Sequence, residues 1–165
     1  MRVVQARPAI VVDTLPSDID RANLDGKEVD TLWLTWEQRR WMRGRFTTER
    51  GREIGIALPT GVRIEPGQIM WVAPDWYLTM GAAIESLLTI HASDRQEAIR
   101  IAFEVGNLHF PLAVAGERLL VPDDSAMTQL LERIGARWER CRAVFTPIGK
   151  GSPHGLRGFP GPSAI

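Results

Sequence analysis

The chain has one cysteine, Cys141, and three histidines, His91, His109 and His154, in 165 residues. One cysteine forms no internal disulfide, which excludes a secreted disulfide scaffold, a zinc ribbon and a Cys-x-x-Cys redox centre. Three histidines are too few for a metal cage built within one chain. An excess of charge is also missing: 20 Lys+Arg balance 20 Asp+Glu. That balance excludes the basic chain of a dedicated nucleic-acid binder. No apolar run approaches the roughly 20 residues of a membrane helix, and the N-terminus lacks the apolar stretch of a signal peptide. A soluble, cytoplasmic chain is expected, with neither nucleic acid nor membrane as partner. No Gly-rich phosphate loop, Ser-His-Asp set or paired carboxylates stand out, so bond-making chemistry is not expected.

What is present is a hydrophobic content of 44%, enough for one ordinary domain or two small ones. Five of the six tryptophans, Trp33 to Trp76, fall in the first half of the chain. Up to about residue 80 the pattern is strand-like. Thr31 to Trp36 is rich in β-formers, and Arg43–Thr48 with Glu53–Leu58 reads as a hairpin turned at Arg50-Gly51. Ile69–Val72 is a further strand, and Glu37 to Met42 is too short and polar for a firm helix. Beyond Tyr77 the pattern changes. A strand over Ile84–Ile90 leads to a capping-box signature at Ser93-Asp94-Arg95-Gln96. Ile99, Ala102, Phe103 and Gly106 then mark a helix face, ended by Gly106-Asn107. Strands over Phe110–Val114 and Arg118–Val121 follow. A helix capped by Asp123 or Asp124 has Met127, Leu130, Leu131 and Ile134 on one face and stops at Gly135. A last strand runs from Arg137 to Phe145.

The predicted fold is therefore α+β: a β-rich N-terminal domain over residues 1–80, then a ferredoxin-like βαββαβ domain over 81–148. Residues 149–165, with five glycines and three prolines, read as a flexible tail. Within this frame His109, in Gly106-Asn107-Leu108-His109-Phe110-Pro111, follows a helix end. It is either a surface or packed imidazole, or a ligand or switch. A twofold dimer would supply it twice near the axis. His91 reads as a solvent-facing residue at a strand end. Cys141 is a small buried side chain or a thiol tuned by Arg140 and Arg142. Asp123-Asp124 is a helix-dipole partner or a cation ligand pair. Arg39, Arg40, Arg43, Arg45, Arg50 and Arg52 form a solvated strand face or a surface for phosphate or protein.

Several separated motifs, in order, resemble the UreE family, nickel metallochaperones of urease maturation. In the first domain they are Thr35-Trp36-Glu37-Gln38-Arg39-Arg40 and the stretch from Thr47 to Gly61. In the second they are Gly106-Asn107-Leu108-His109-Phe110-Pro111-Leu112, the helix end Leu130-Leu131-Glu132-Arg133-Ile134-Gly135, and Phe145-Thr146-Pro147. The resemblance spans about Leu32 to Ile148. It implies a homodimer whose N-terminal domain binds a partner or peptide, whose second domain holds metal, and which is not an enzyme. His109 would then be the interfacial Ni(II) ligand, with tail histidines, here only His154, joining it. Ni(II) is cargo delivered to the urease apoprotein complex with the urease accessory GTPase; imidazole also suits Zn(II) and Cu(II). This chain departs from relatives in carrying Glu104 five residues before His109 and no histidine over Val121 to Ser125. The ligand count fits one interfacial ion rather than storage of many. The alternative is an adaptor that docks on the urease maturation complex without carrying metal.

Overall fold

A computed structural model describes residues 10–41 and 43–149. The chain divides into two compact units between Ala83 and Ile84.

In the first unit, β1 (Ile10–Val12), β4 (Glu53–Ala57) and β3 (Arg43–Thr47) form one sheet in that order. β2 (Glu28–Leu34), β6 (Trp76–Ala82) and β5 (Ile69–Val72) form another. Alternation sends Leu32 and Leu34 of β2 and Leu78 and Met80 of β6 inward. There they meet Ile54 and Ile56 of β4 and Met70 of β5 in a single core. The β3–β4 hairpin forms as its sequence predicts, with Gly51 at φ +82° in the turn. The polar stretch around Glu37 does fold, as the single-turn helix α1 (Trp36–Trp41), but it buries none of its residues. β1 and β6 carry no turn-bounded alternation in the sequence and are added by the structure.

One buried charge organises this unit. Asp30, on β2, is 1% exposed. Its carboxylate accepts from the Thr48 hydroxyl at 2.7 Å, the Arg52 guanidinium at 2.7 Å and the Arg50 backbone N–H at 3.2 Å. Arg52 also pairs with Glu28 at 2.8 Å and lies over the Trp76 ring at 4.3 Å. The two sheets are thus tied through the turn after β3. Burial pushes the Asp30 carboxyl up, but the hydrogen bonds from Thr48, Arg52 and Arg50 outweigh it, and the pKa ends below its usual value.

The second unit runs β7 (Ile84–His91), α2 (Arg95–Asn107), β8 (Ala113–Ala115), β9 (Arg118–Pro122), α3 (Ser125–Arg133), β10 (Arg137–Val144). The sheet order is β10-β7-β9-β8, with every neighbouring pair antiparallel. This is the βαββαβ arrangement the sequence predicts. Leu88 and Ile90 of β7 and Val121 of β9 meet Met127, Leu130 and Leu131 of α3, the face expected for that helix.

α2 differs from expectation at three points. Its N-cap is Asp94, not Ser93: Asp94 accepts from the Glu97 N–H at 2.8 Å. Glu97 in turn accepts from both the backbone and the hydroxyl of Ser93 at 2.6 Å, bonds that hold its pKa below the usual carboxylate value. The capping box is shifted by one residue because Asp is the better-placed acceptor. The buried face is Ala98, Ile101 and Val105, while Ile99 and Phe103 are 59% and 66% exposed. Both stripes have helical spacing. Both stripes are flanked by charge, the outer one by Arg100 and the inner one by Glu97 and Glu104, so the sequence alone does not decide which turns inward. The third difference, at the C-terminus, shapes the site below.

Candidate metal centre

α2 ends at Asn107, within the expected Gly106-Asn107, with Leu108 as its C-cap. The left-handed residue is neither Gly106 nor Asn107 but His109, at φ +59°. The His109 N–H donates to the Gly106 carbonyl at 3.0 Å and the Phe110 N–H to the Val105 carbonyl at 3.3 Å. This pair of bonds is a Schellman motif, with His109 at the position glycine normally fills. The same unit holds a direct comparison. α3 ends with Gly135 at φ +69°, its N–H bonded to Glu132 at 3.1 Å and the Ala136 N–H bonded to Leu131 at 3.0 Å. The two caps are alike except that one has glycine and the other histidine. An L-residue in this region clashes through its Cβ at a cost of about 1–2 kcal/mol. Histidine tolerates the region better than most residues, yet remains uncommon there. The imidazole of His109 is exposed. A strained, exposed imidazole where glycine would serve the fold better points to a role beyond folding.

The C-terminal strap brings a second element to this end of the unit. Beyond β10 the chain buries Phe145 completely. It then runs along the end of the sheet to the opposite edge, where the Ile148 N–H donates to the Leu112 carbonyl at 2.7 Å. Ile148 is therefore anchored three residues from His109 in sequence. His154 lies outside the described residues. It follows Ile148 by six positions, which bounds its distance from that residue at roughly 20 Å.

The other candidates serve the fold. His91 ends β7 and its Nε2 lies 3.0 Å from Glu139 Oε1 on β10. It stands before the N-terminus of α2 and His109 beyond its C-terminus, so about 20 Å of helix separates them. Cys141 is half-buried and its Sγ accepts from the Thr89 hydroxyl at 2.9 Å. Asp124 caps α3 by accepting from the Ala126 N–H at 2.8 Å, and Asp123 accepts from Arg140 Nε at 3.1 Å. Among the described residues, no three His, Cys, Asp or Glu side chains lie close enough to hold a metal. No helix among them is long and apolar enough to cross a membrane. The arginine cluster divides: Arg50 and Arg52 turn to Glu28 and Asp30, while Arg40, Arg43 and Arg45 remain exposed. The Ile99–Phe103 stripe, which the sequence offers as the helix face, points outward, and the inner stripe of Ala98, Ile101 and Val105 is the feature sequence reasoning missed. Its signal was a second apolar spacing on one helix.

Comparison with known proteins agrees with this two-unit plan. The model of the UreE urease accessory protein N-terminal domain matches residues 13–78, and that of its C-terminal domain matches residues 85–158. The urease accessory protein UreE of Synechococcus sp. (strain JA-3-3Ab) is 34% identical over 111 residues, covering 67% of this chain and 74% of that protein. The chain belongs to the UreE family. Members of this family are accessory proteins, not enzymes. The relative from Parasynechococcus marenigrum is 32% identical over 75% of this chain and 85% of its own length. The relative from Paraburkholderia xenovorans is 30% identical over 78% of this chain, but only 59% of its own length is spanned.

Proposed function

We propose that the chain is a cytoplasmic urease accessory protein that binds Ni(II) at a homodimer interface and delivers it for assembly of the urease metallocentre. Family membership and the position of His109 support the reading together. The carrying observation is the contrast between the two caps: histidine holds a strained position at α2 that glycine holds at α3. One imidazole cannot retain a divalent ion alone, whereas a twofold axis supplies two. The exposed stripe of Ile99 and Phe103, on the helix that precedes His109, offers apolar surface for that dimer. Ile148 is bonded to Leu112, three residues after His109, and His154, six positions further on, would complete the coordination shell in place of water. Imidazole binds Zn(II) and Cu(II) as well, so delivery of nickel depends on geometry, supply and partners. The β-rich unit binds a partner within the maturation machinery, in which the urease accessory GTPase and the urease apoprotein complex take part.

Calorimetric titration of the full chain with Ni(II), wild type against His109→Ala, tests this. The expected result is about one ion per dimer for the wild type, lost in the variant. Light scattering in metal-free buffer should already give a dimer. A wild type that binds no Ni(II) while still docking on the maturation complex would instead make the chain an adaptor.

A further inference from the structure

The β2–β6 pair of the first unit turns an uncharged face outward. Alternation sends Val29, Thr31 and Trp33 of β2 and Tyr77, Thr79 and Gly81 of β6 away from the core. The register sets Val29 beside Tyr77, Thr31 beside Thr79 and Trp33 beside Gly81. Val72 of β5, opposite Tyr77, widens the patch. Charged side chains make up 24% of the chain, yet none stands at these positions. Charge begins at the border, where the turn through Glu49 and Arg50 runs along β2. There the Glu49 N–H donates to the Thr31 carbonyl at 2.8 Å, and Arg50 pairs with Glu28 at 3.3 Å. Val29 is 43% exposed and Trp33 53%. A Cβ at Gly81 would collide with the Trp33 ring and the Thr31 methyl. Glycine in a strand interior weakens the strand; here it lets an indole ring rest on the backbone while half of the residue stays open to solvent. The Thr31 and Thr79 hydroxyls lie 3.4 Å apart, and that of Thr79 donates to the Asp30 carbonyl at 3.3 Å. The Trp33 indole N–H and the Tyr77 hydroxyl bond to no other described residue. The face therefore offers ring surface and two open donors, about 13 Å apart along the strands.

We propose that this face receives an uncharged, proline-rich segment of a partner protein, with proline rings laid on Trp33 and Tyr77 and carbonyls accepting from the two donors. The proposal rests on the reading of the first unit as partner-binding, and on none of the nickel chemistry. A charged segment would lose hydration against this face and meet no opposite charge on it. An ordinary uncharged segment would bury backbone N–H groups with no acceptor to receive them. Proline has no N–H. A polyproline helix makes no internal hydrogen bonds, so its carbonyls are free to accept. Its rise of about 3.1 Å per residue fits about four residues between the levels of Tyr77 and Trp33. It is also stiff before it binds, which lowers the ordering cost, and aromatic-lined surfaces take such segments for that reason. The size of the face selects a segment over a second copy. Three strands, each about five residues long, offer roughly 250 Å², against the about 800 Å² that each partner contributes to a stable dimer.

The test uses the full chain and two short fluorescent peptides of equal length, one all proline and the other alternating glycine with serine. Anisotropy should show the proline peptide binding about tenfold more tightly. Added salt should leave its affinity unchanged, since no charge takes part. Trp33→Ala should lower the affinity about tenfold, while Trp41→Ala, at the exposed end of α1, should not change it. Tyr77→Phe, milder toward folding, keeps the ring and should cost about fivefold through the lost donor. Equal binding of the two peptides, binding that weakens with salt, an unaffected Tyr77→Phe, or the same loss in Trp41→Ala as in Trp33→Ala overturns the proposal. The chain has prolines of its own at Pro160 and Pro162. A Pro160→Ala/Pro162→Ala chain that binds the peptide more tightly than the wild type would make the chain itself the source of the segment and overturn the partner. Titrating the same samples with Ni(II) separates the two readings. All the variants should bind Ni(II) as the wild type does. A wild type that binds Ni(II) but not the proline peptide removes this proposal and leaves the nickel one; peptide binding without Ni(II) does the reverse.

Discussion

The left-handed conformation of His109 makes an unusual stability prediction, because the change that removes the proposed ligand should not weaken the fold. At φ +59° an ordinary L-residue is disfavoured by about 1–2 kcal/mol, and histidine, enriched in this region, sits at the low end, near 1 kcal/mol. His109→Gly relieves that strain. It also frees the unfolded chain, which opposes stability by about 0.4–1 kcal/mol. The two effects nearly cancel, so the glycine variant should be as stable as the wild type or more stable by about 0.5 kcal/mol. His109→Ala keeps the Cβ clash and loses the tolerance of histidine. It should be less stable than the glycine variant by about 1 kcal/mol, or about 4–8 °C in the melting temperature of a unit this size.

The measurement is calorimetric melting of the full chain in chelator, at fixed protomer concentration because a dimer melts with concentration. Two units can give two transitions, so the informative one is the transition that differs between the alanine and glycine variants. The order of the variants decides the matter. Were His109 in ordinary helical or extended backbone, glycine would be the worse substitution, by its usual entropic penalty of about 0.5–1 kcal/mol. An alanine variant that melts at or above the glycine variant would therefore refute the strained cap, and with it the argument that histidine stands there for a purpose other than folding. Both variants should lose Ni(II) binding alike.

Gly135→Ala, at the matching cap of α3, should cost about 1 kcal/mol by thermal melting, without affecting metal. Asp30→Asn should lower stability at neutral pH by about 2 kcal/mol in urea titrations, because it weakens charge-assisted bonds to Arg52 and Thr48. Asp30 binds protons more weakly in the folded chain than in the unfolded one. Its contribution is therefore present above the unfolded value, near 3.8, and lost as pH falls through the lower folded value. The Asn variant should show a shallower acid limb, and an unchanged limb would contradict this. Phe103→Asp, on the exposed face of α2, should give a folded monomer by light scattering; a persistent dimer would place the interface elsewhere. Deleting residues 150–165 should weaken Ni(II) binding by calorimetry while leaving the dimer, and equal affinity would exclude His154 as a ligand.

Most of the second unit was legible because its elements other than α2 have clear punctuation marks. Asp124 and Gly135 bracket α3, Gly116 turns the β8–β9 hairpin, and the βαββαβ order then leaves few ways to arrange the strands. The first unit was less legible for the opposite reason. β1 is three residues long and pairs in parallel with β4, more than forty residues away, and no local pattern encodes such a pairing. β6 is buried at nearly every second position, but the turn before it, at Pro74-Asp75, passes without a glycine. The arginine cluster looked uniform in sequence. Only the hairpin's position over β2 divides it into arginines that hold Asp30 and arginines that face solvent.

At the site itself, the residue could be read and its geometry could not. Glycine is the default left-handed residue at a helix end, and Gly106 stands three positions before His109, so the rule places the helix end correctly at Gly106-Asn107 but names the wrong left-handed residue. What overrides the rule is the packing of Phe110. The Schellman bond from the Phe110 N–H to the Val105 carbonyl requires the left-handed residue to be the one just before it, and Phe110 packs against the core that buries Val105. Gly106 then stays helical, and the strain falls on histidine. Shifting the cap to Gly106 would relieve His109 but forfeit these cap bonds and move Phe110 from its place on the core. The imidazole is thus held at the helix end by the hydrophobic residue after it. That gives Phe110 a positioning role which the motif suggests only by adjacency. Phe110→Ala should loosen the cap and weaken Ni(II) binding while His109 itself is intact. A variant that keeps wild-type nickel affinity despite lost protection at the end of α2 would show that the ligand needs no such support.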